Sequence, residues 1–355
     1  MDEFIPSLCE RIRDHAQRKR PLRIRGGSTK YFYGEETEGE SLDISSYSGI
    51  VAYEPKELVL TVRAGTPLTE VEAALAAERQ MLAFEPPHFG AGATIGGAVA
   101  SGLSGPRRPY VGAVRDFVLG ARIVNGKGED LSFGGRVIKN VAGYDVSRLM
   151  VGSLGTLGVI TEVSFKVLPG PPAEATLVLE MDQAGAIAEA NRWAGLPIPL
   201  SGTAWHDGKL RVRLSGAASA VAAAKAKIGG EEIEAQAYWR DLREQRLPFF
   251  STDAPLWRLS LPQTAEPIAT REPQLMEWGG GVRWLSGRHD TLTLRSTAER
   301  LGGHATLFRG GDRTVGVFHP LKPALLKIHR RLKEAFDPAG ILGRGNMFAE
   351  ELIRP

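Results

Sequence analysis

The chain has 355 residues, a length that suggests about two or three domains. Its 43% hydrophobic and 24% charged residues exclude a disordered or collagenous chain. A net charge of +3 spread over this length argues against a dedicated nucleic-acid binder, whose affinity would need a strong basic footprint. The single cysteine, Cys9, rules out an intrachain disulfide and any iron–sulfur or zinc site built on several thiolates. No run approaches the roughly 18 apolar residues that a membrane span needs.

The first twenty residues start acidic and lack the apolar core of a secretory signal. They read as an amphipathic helix with Ile5, Leu8 and Ile12 on one face. Residues 21–34 read as a short strand, Leu22 to Ile24, running into a glycine turn with Ser, Thr and Lys. Two strands flank Pro55. Thr66 is expected to cap a helix with Pro67 at its first position, running to about Gln80. Pro86 and Pro87 hold the next stretch extended. Asn125-Gly126, between β-rich segments, predicts a hairpin. Val159, Thr161, Val163, Phe165 and Val167 alternate along a strand, and the proline cluster at 169–172 marks a domain boundary. Beyond it, 175–181 and 209–216 read as strands, and 184–195 and 217–228 as helices. TLTLRS at 291–296, ATLFRGG at 305–311 and TVGVFHP at 314–320 read as short strands. Pro323 opens a last helix that ends near Phe336. This order suits an α+β unit with an antiparallel sheet.

Of the 42 glycines, 16 fall between Gly90 and Gly158. Glycine is entropically unfavourable, so the cluster implies tight turns or a backbone that passes close to a ligand. The small residues filling 90–105 leave N–H groups open to phosphate oxygens. A Walker A sequence is absent, and Gly90 to Gly96 is spaced GxGxxxG rather than GxGxxG. With no convincing strand before it and no helix start after it, an ordinary Rossmann unit is rejected.

Three segments together resemble the FAD-binding domain of the vanillyl-alcohol oxidase/PCMH flavoprotein superfamily. They are Arg25-Gly26-Gly27-Ser28-Thr29-Lys30, the run Ala93 to Ala100 and the run Gly152 to Ile160. Residues 84–109 and the long stretch from Gly105 to Pro169 more narrowly resemble the FAD-binding E-subunit family of glycolate oxidase (glycolate dehydrogenase), as does the closing helix. The resemblance implies an α+β fold. A PCMH-type two-subdomain FAD-binding domain would occupy residues 1–170, a smaller α+β cap 171–320, and a C-terminal helix, 321–355, would return to the first domain.

The resemblance implies non-covalent FAD. Arg25, Gly26, Gly27, Ser28, Thr29 and Lys30 would form the pyrophosphate loop, though the family often has Gly where Ser28 stands. An ordinary strand-end turn is the alternative reading. Thr94, Ile95, Gly96 and Gly97 would lie along pyrophosphate and flavin, with Pro87 and Ser101 beside them. Gly155, Gly158, Val159 and Ile160 would approach the ribityl–adenine part. Family members commonly have Asn where Ala98 and Gly102 stand. His88 reads as a free histidine, not a flavin attachment point, and as either a flavin-edge group or a satisfied loop residue. Tyr144 and Asp145 resemble a segment near the flavin, but a packed Tyr and a capping Asp explain them equally well. Arg107 and Arg108 read as a solvated loop, with contact to phosphate or to a partner subunit as the alternative.

Related D-2-hydroxy-acid dehydrogenases carry a histidine pair and a Glu-His segment for a divalent metal and substrate. Here no two of the seven histidines lie within five residues, so no metal site and no catalytic base is named. His304 and His319 can meet only through the fold. The implied function is that of an FAD-binding subunit in a complex oxidising glycolate to glyoxylate. Its partners would be the D and F subunits of that complex, the first a catalytic FAD protein and the second an iron–sulfur protein. A stand-alone FAD-dependent D-lactate-type dehydrogenase and a non-catalytic assembly subunit with structural FAD are the alternatives. The expected location is cytoplasmic, or peripheral at the inner membrane through the complex.

Overall fold

The structure, a computed structural model, describes residues 3–135 and 145–347. Helix α1 (Phe4–Arg18) buries Ile5, Leu8 and Ile12, the stripe read from the sequence. Strands β1 (Leu22–Arg25) and β2 (Glu40–Asp43) form a parallel pair. Strands β3 (Ile50–Glu54) and β4 (Val59–Arg63) follow, joined around Pro55.

Helix α2 (Leu68–Ala77) starts one residue later than expected. Pro67, with ψ 137°, is its cap, while the Thr66 hydroxyl donates to the Arg63 carbonyl at 2.7 Å and accepts from the Gly49 N–H. Gln80 belongs to the two-residue strand β5 (Gln80–Met81). Helix α3 (Ile95–Ser101) forms where the glycine content predicts none. Its start is held by the Thr94 hydroxyl, which accepts from the Gly97 N–H, and by the Thr66 and Ala64 carbonyls, which accept from Ile95 and Gly96.

Short helices α4 (Arg108–Val111) and α5 (Val114–Phe117) lead into the hairpin of β6 (Val118–Val124) and β7 (Asp130–Gly134). Asn125 organises its turn, its Oδ1 accepting from the Lys127 and Glu129 N–H groups at 3.0 Å. Helix α6 (Val146–Leu149) precedes β8 (Val159–Lys166), which lies central in an antiparallel sheet of order β3-β4-β8-β6-β7. Strand β9 (Leu168–Pro169) pairs with β5 and ends this part of the chain.

Strand β10 (Ala173–Glu180) opens a second sheet, followed by α7 (Gln183–Ala194), β11 (Leu200–His206), β12 (Lys209–Gly216), α8 (Ala218–Ile228), β13 (Glu231–Ile233) and α9 (Gln236–Arg243). The sheet is completed by β14 (Leu256–Ser260), β15 (Gln274–Glu277), β16 (Val282–Ser286) and β17 (His304–Arg309). Its order is β13-β10-β12-β11-β15-β16-β14-β17, antiparallel throughout. TLTLRS is not a strand. It opens helix α10 (Thr291–Arg300), capped by Asp290, whose Oδ1 accepts from the Thr293 N–H at 2.8 Å. Leu294 and Ala298, one helical turn apart, are its buried apolar positions, while Leu292 is 78% exposed, so the apparent strand alternation belongs to a helix with one outward leucine. The segment 314–320 is also not a strand; it begins in a 3₁₀ turn at Arg313–Val315. The last helix, α11 (Pro323–Phe336), has the bounds expected.

One core fills the space between the first sheet, α1, α2 and α3. A second, aromatic core joins the second sheet to Phe32, Tyr33, Phe89 and Leu103 of the first part. Buried ion pairs bridge the same seam. The Glu85 carboxylate, in the first part, lies 2.9 Å from Arg213 of β12 and 3.3 Å from Arg107. Arg107 also reaches Glu174 of β10 at 3.0 Å. Arg107 is therefore buried, not solvated, and Arg108 stacks on Trp278 with its guanidinium carbon 4.4 Å from the ring centroid. Burial alone would raise the Glu85 pKa, but the two guanidinium groups outweigh it and hold the carboxyl below its usual value.

Candidate functional site

A cleft of about 260 Å³ opens where the turn after β1 meets the loop before α3. Gly26, Gly27, Ser28, Thr29 and Lys30 line one side, and Thr94, Gly97 and Ser101 the other. The two loops touch through backbone. A Cβ on Gly27 would stand 1.4 Å from the Gly92 carbonyl oxygen, and one on Gly26 2.6 Å from the Thr94 hydroxyl. Only glycine permits this approach. Ser28 takes the left-handed conformation, φ 58°, which accounts for the glycine common at this position in the family. Its hydroxyl accepts weakly from the Arg25 guanidinium at 3.3–3.4 Å, so Arg25 braces the turn from outside the cleft.

Two cations, Arg23 and Lys30, line the cleft, and Lys30 lies on the glycine loop itself. Its Nζ reaches the His88 carbonyl at 3.2 Å and the Thr29 hydroxyl at 3.4 Å. Burial lowers its pKa to about 8, against a smaller opposing pull from Glu244. Glu244, one residue past α9, accepts from the backbone N–H groups of His88 and Phe89 at 3.0 and 2.8 Å, tying the loop behind Lys30 to the second part. His88 is a satisfied loop histidine: its Nε2 lies 3.1 Å from Glu72.

The structure brings together half of the residues singled out from the sequence. Ile95 and Gly96 face inward, their N–H groups spent on Thr66 and Ala64. Gly155 stands one layer behind the cleft, where a Cβ would meet Ile24 at 3.0 Å. Gly158, Val159 and Ile160 lie at the β6–β8 seam, Val159 and Ile160 buried in the first core. Pro87 lines a separate small cavity with Arg258, Glu277 and Trp278. Ala98 is buried, and Gly102 ends α3 in the left-handed region against Gly152. Asp145 caps α6, accepting from the Arg148 N–H at 3.1 Å, and Tyr144 lies outside the described residues.

Sequence reading misses the far wall of the cleft. Tyr31, Tyr33, Glu35 and Thr37 line it from the first loop, and Gly343 and Asn346 from the end of the chain. Asn346 donates to the Leu154 carbonyl at 2.8 Å, and its own carbonyl accepts from the Glu35 N–H. Leu342 bridges to Leu22 beside β1. The glycines of ILGRGN are the one available signal for this return of the chain.

Two further groups carry unusual chemistry. Glu277, in the small cavity, accepts from the Trp284 indole N–H at 2.7 Å, and burial raises its pKa to about 7. His304 and His319 do converge, their ring centroids 6.4 Å apart, and His319 pairs with Glu299 at 2.9 Å. Among the described residues no group of three or more His, Cys, Asp or Glu side chains is placed to hold a metal.

The glycine cradle and its lysine suit a diphosphate, which needs close backbone approach and a nearby cation. Comparison with known proteins agrees. Residues 6–134 match the family model described as "FAD binding domain". The fold is similar to that of alkyldihydroxyacetonephosphate synthase, with a TM-score of 0.66 at 14% identity, over 96% of this chain and 75% of that one. Glycolate oxidase subunit GlcD of Bacillus subtilis is 33% identical over 172 residues, 48% of this chain and 36% of that protein. The D-lactate dehydrogenase of Anaerostipes hadrus is 34% identical over 40% of this chain and 29% of that protein. Glycolate oxidase subunit GlcE of Escherichia coli (strain K12) is 48% identical over 348 residues, 98% of both chains. With 98% of each chain matched at this identity, the chain belongs to the family of glycolate oxidase subunit GlcE.

Proposed function

We propose that this protein is the FAD-binding subunit of a multi-subunit glycolate oxidase, an oxidoreductase acting on the CH–OH group of a 2-hydroxy acid. The observation that carries the reading is the 48% identity to GlcE over nearly the whole of both chains. The cleft supports the cofactor. Gly26, Gly27, Ser28 and Thr29 would hold the diphosphate of FAD without a covalent link, with Lys30 supplying charge and Thr94, Gly97 and Ser101 the opposite wall. When bound, FAD supplies the two-electron chemistry that turns glycolate into glyoxylate, or relays those electrons onward. The chain's own part is to seat the cofactor, to exclude water with the aromatic core formed by Phe32, Phe89 and Phe308, and to present it to its partners.

The partners in this reading are the D and F subunits of the oxidase, a catalytic FAD protein and an iron–sulfur protein. No helix among the described residues is long and apolar enough to cross a membrane. In this reading residues 1–170 serve FAD and 171–320 act as a cap, and the described part of 321–355 supports a return to the first part, since Leu342 bridges to Leu22.

The test is an anaerobic absorption spectrum of the purified chain, before and after glycolate, alone and with the catalytic FAD partner. Flavin bands near about 370 and 450 nm are expected. They should bleach with glycolate only when that partner is present. Bleaching by the chain alone would favour a stand-alone dehydrogenase. Bands that persist even when the partner's flavin is reduced would favour a structural cofactor. A colourless chain that takes up no added FAD overturns the reading.

A further inference from the structure

A small cavity of about 30 Å³ lies where strands β14 to β17 meet the loop at 87–105 of the first part. Arg258 of β14 lines it, opposite Trp284 in the sheet register. The guanidinium carbon lies 5.1 Å from the Trp278 ring centroid and 5.8 Å from that of Trp284. Among the described residues, none accepts a hydrogen bond from this guanidinium and none forms an ion pair with it. Burial holds its pKa below the ordinary value. A guanidinium taken out of water normally needs a counter-ion. Its neighbours on the wall are already committed. Arg243 pairs with Glu244 at 2.8 Å, and the Glu277 carboxyl accepts from the Trp284 indole.

Two further donors face the same space. The Ser104 hydroxyl oxygen is buried and has no hydrogen-bond partner among the described residues. Gln245, 8% exposed, gives its Oε1 to the Arg309 guanidinium at 2.7 Å. Its amide N–H groups have no acceptor among the described residues, and it too lines the cavity. The backbone holds this wall at a cost. Phe89, Gln245 and Trp278 all take positive φ, 54°, 52° and 58°. Bulky residues seldom adopt that conformation, and such strain gathers at ligand clamps.

We propose that Arg258, Gln245 and Ser104 form a binding site for the carboxylate of a short acid, separate from the FAD cleft. An unpaired guanidinium, a hydroxyl and an amide N–H form a donor set that calls for an acceptor-only anion. The volume has room for about two water-sized oxygen atoms, the size of one carboxylate head. A guanidinium fork matches that planar head better than it matches a spherical halide. The choice of a 2-hydroxy or 2-oxo acid as occupant rests on the oxidase reading; the carboxylate chemistry does not. The site adjoins the cofactor. Phe308 lines this cavity and packs, at 5.3 Å between centroids, on Tyr33 of the FAD cleft.

The test is calorimetric titration of the flavin-loaded full-length chain with glycolate, glyoxylate and acetate. Ethylene glycol, which lacks the carboxylate of glycolate, and sodium chloride are the controls. Saturable heat is expected with the three acids and none with the controls. Arg258→Met should weaken binding about tenfold or more, and Ser104→Ala about threefold. Gln245→Glu keeps the acceptor for Arg309 but puts a carboxylate where the acid would sit, and should abolish binding. Flavin content and thermal midpoint without acid check the fold; if Arg258→Met fails them, the other two variants carry the test. No heat with any acid, equal binding of chloride, or variants that bind like wild type would each overturn the site. The oxidase reading survives any of these so long as glycolate still bleaches the flavin when the catalytic partner is added. If acids bind but that bleaching fails, the carboxylate site stands and the oxidase reading falls.

Discussion

Replacing Gly27 by alanine tests the core of the site. The added Cβ would sit 1.4 Å from the Gly92 carbonyl oxygen, 2.3 Å from its carbon and 3.1 Å from the Ala93 nitrogen. All three are backbone atoms, so no side-chain rotation relieves the clash, and the two loops must part by about 1.5 Å or more to reach a normal contact. That opens the floor of the cleft between Gly26 and Thr94, where the approach is also tight. Overpacking of this kind costs about 1–3 kcal/mol. Flavin absorbance per purified chain and the thermal midpoint report the two effects. The expected result is severe loss of bound FAD with a midpoint lower by several degrees. Gly92→Ala should be milder, since its Cβ would lie 3.2 Å from the Gly27 oxygen. Gly195→Ala, at ordinary contact distance at the end of α7, should be silent in both assays. A Gly27→Ala protein with wild-type flavin content and midpoint would refute the claim that backbone contact between the loops builds the cleft.

Arg213→Met leaves Glu85 buried with only Arg107 beside it, and should cost about 3–5 kcal/mol in urea unfolding; Glu85→Gln/Arg213→Met together should cost less than the single change. FAD affinity should weaken as pH rises above about 8, where Lys30 loses its proton, with a limiting slope of about one decade per pH unit, and Lys30→Met should flatten that dependence in a titration followed by flavin fluorescence. Burial lifts Glu277 to about 7, so the folded protein keeps a proton that the unfolded chain releases near the ordinary value of 4.5. Its stabilising contribution is therefore complete below about pH 4.5 and is lost as pH climbs through 7, a swing of about 3 kcal/mol. Glu277→Gln, which keeps an acceptor for the Trp284 indole, should remove that swing between unfolding curves at pH 5 and pH 8.

Legibility in the sequence follows the range of the cause. The hairpin at Asn125-Gly126 and the bounds of α11 are readable because their signals are local: an Asn side chain bonding its own turn, a proline at a helix start. Helix α3 is not, because its glycines carry no helical propensity and its start is held by carbonyls from residues 64 and 66. Arg107 reads as solvated because nothing near it in sequence announces Glu85 or Glu174. The strand pattern at 291–296 misleads because Leu292 and Leu294 alternate, while the helix signals, a cap at Asp290 and a partner at Ala298, lie just outside that short window.

The same distinction divides the site. The glycine loops can be named in advance because a backbone contact as short as that of Gly27 with Gly92 admits no other residue, and the requirement is written in the chain itself. The wall contributed by Tyr33, Glu35 and Asn346 carries no such requirement. It exists because Leu342 lies beside Leu22 and because Asn346 ties the loop at 154 to the loop at 35. A ligand filling the cleft therefore touches segments separated by more than 300 residues of sequence. It is bound only by the folded chain, so it stabilises the fold in proportion to the logarithm of its concentration over Kd. With FAD in this cleft as proposed, its loss should loosen the turn after β1 and the closing loop at 343–346 together, because one ligand would lie against both.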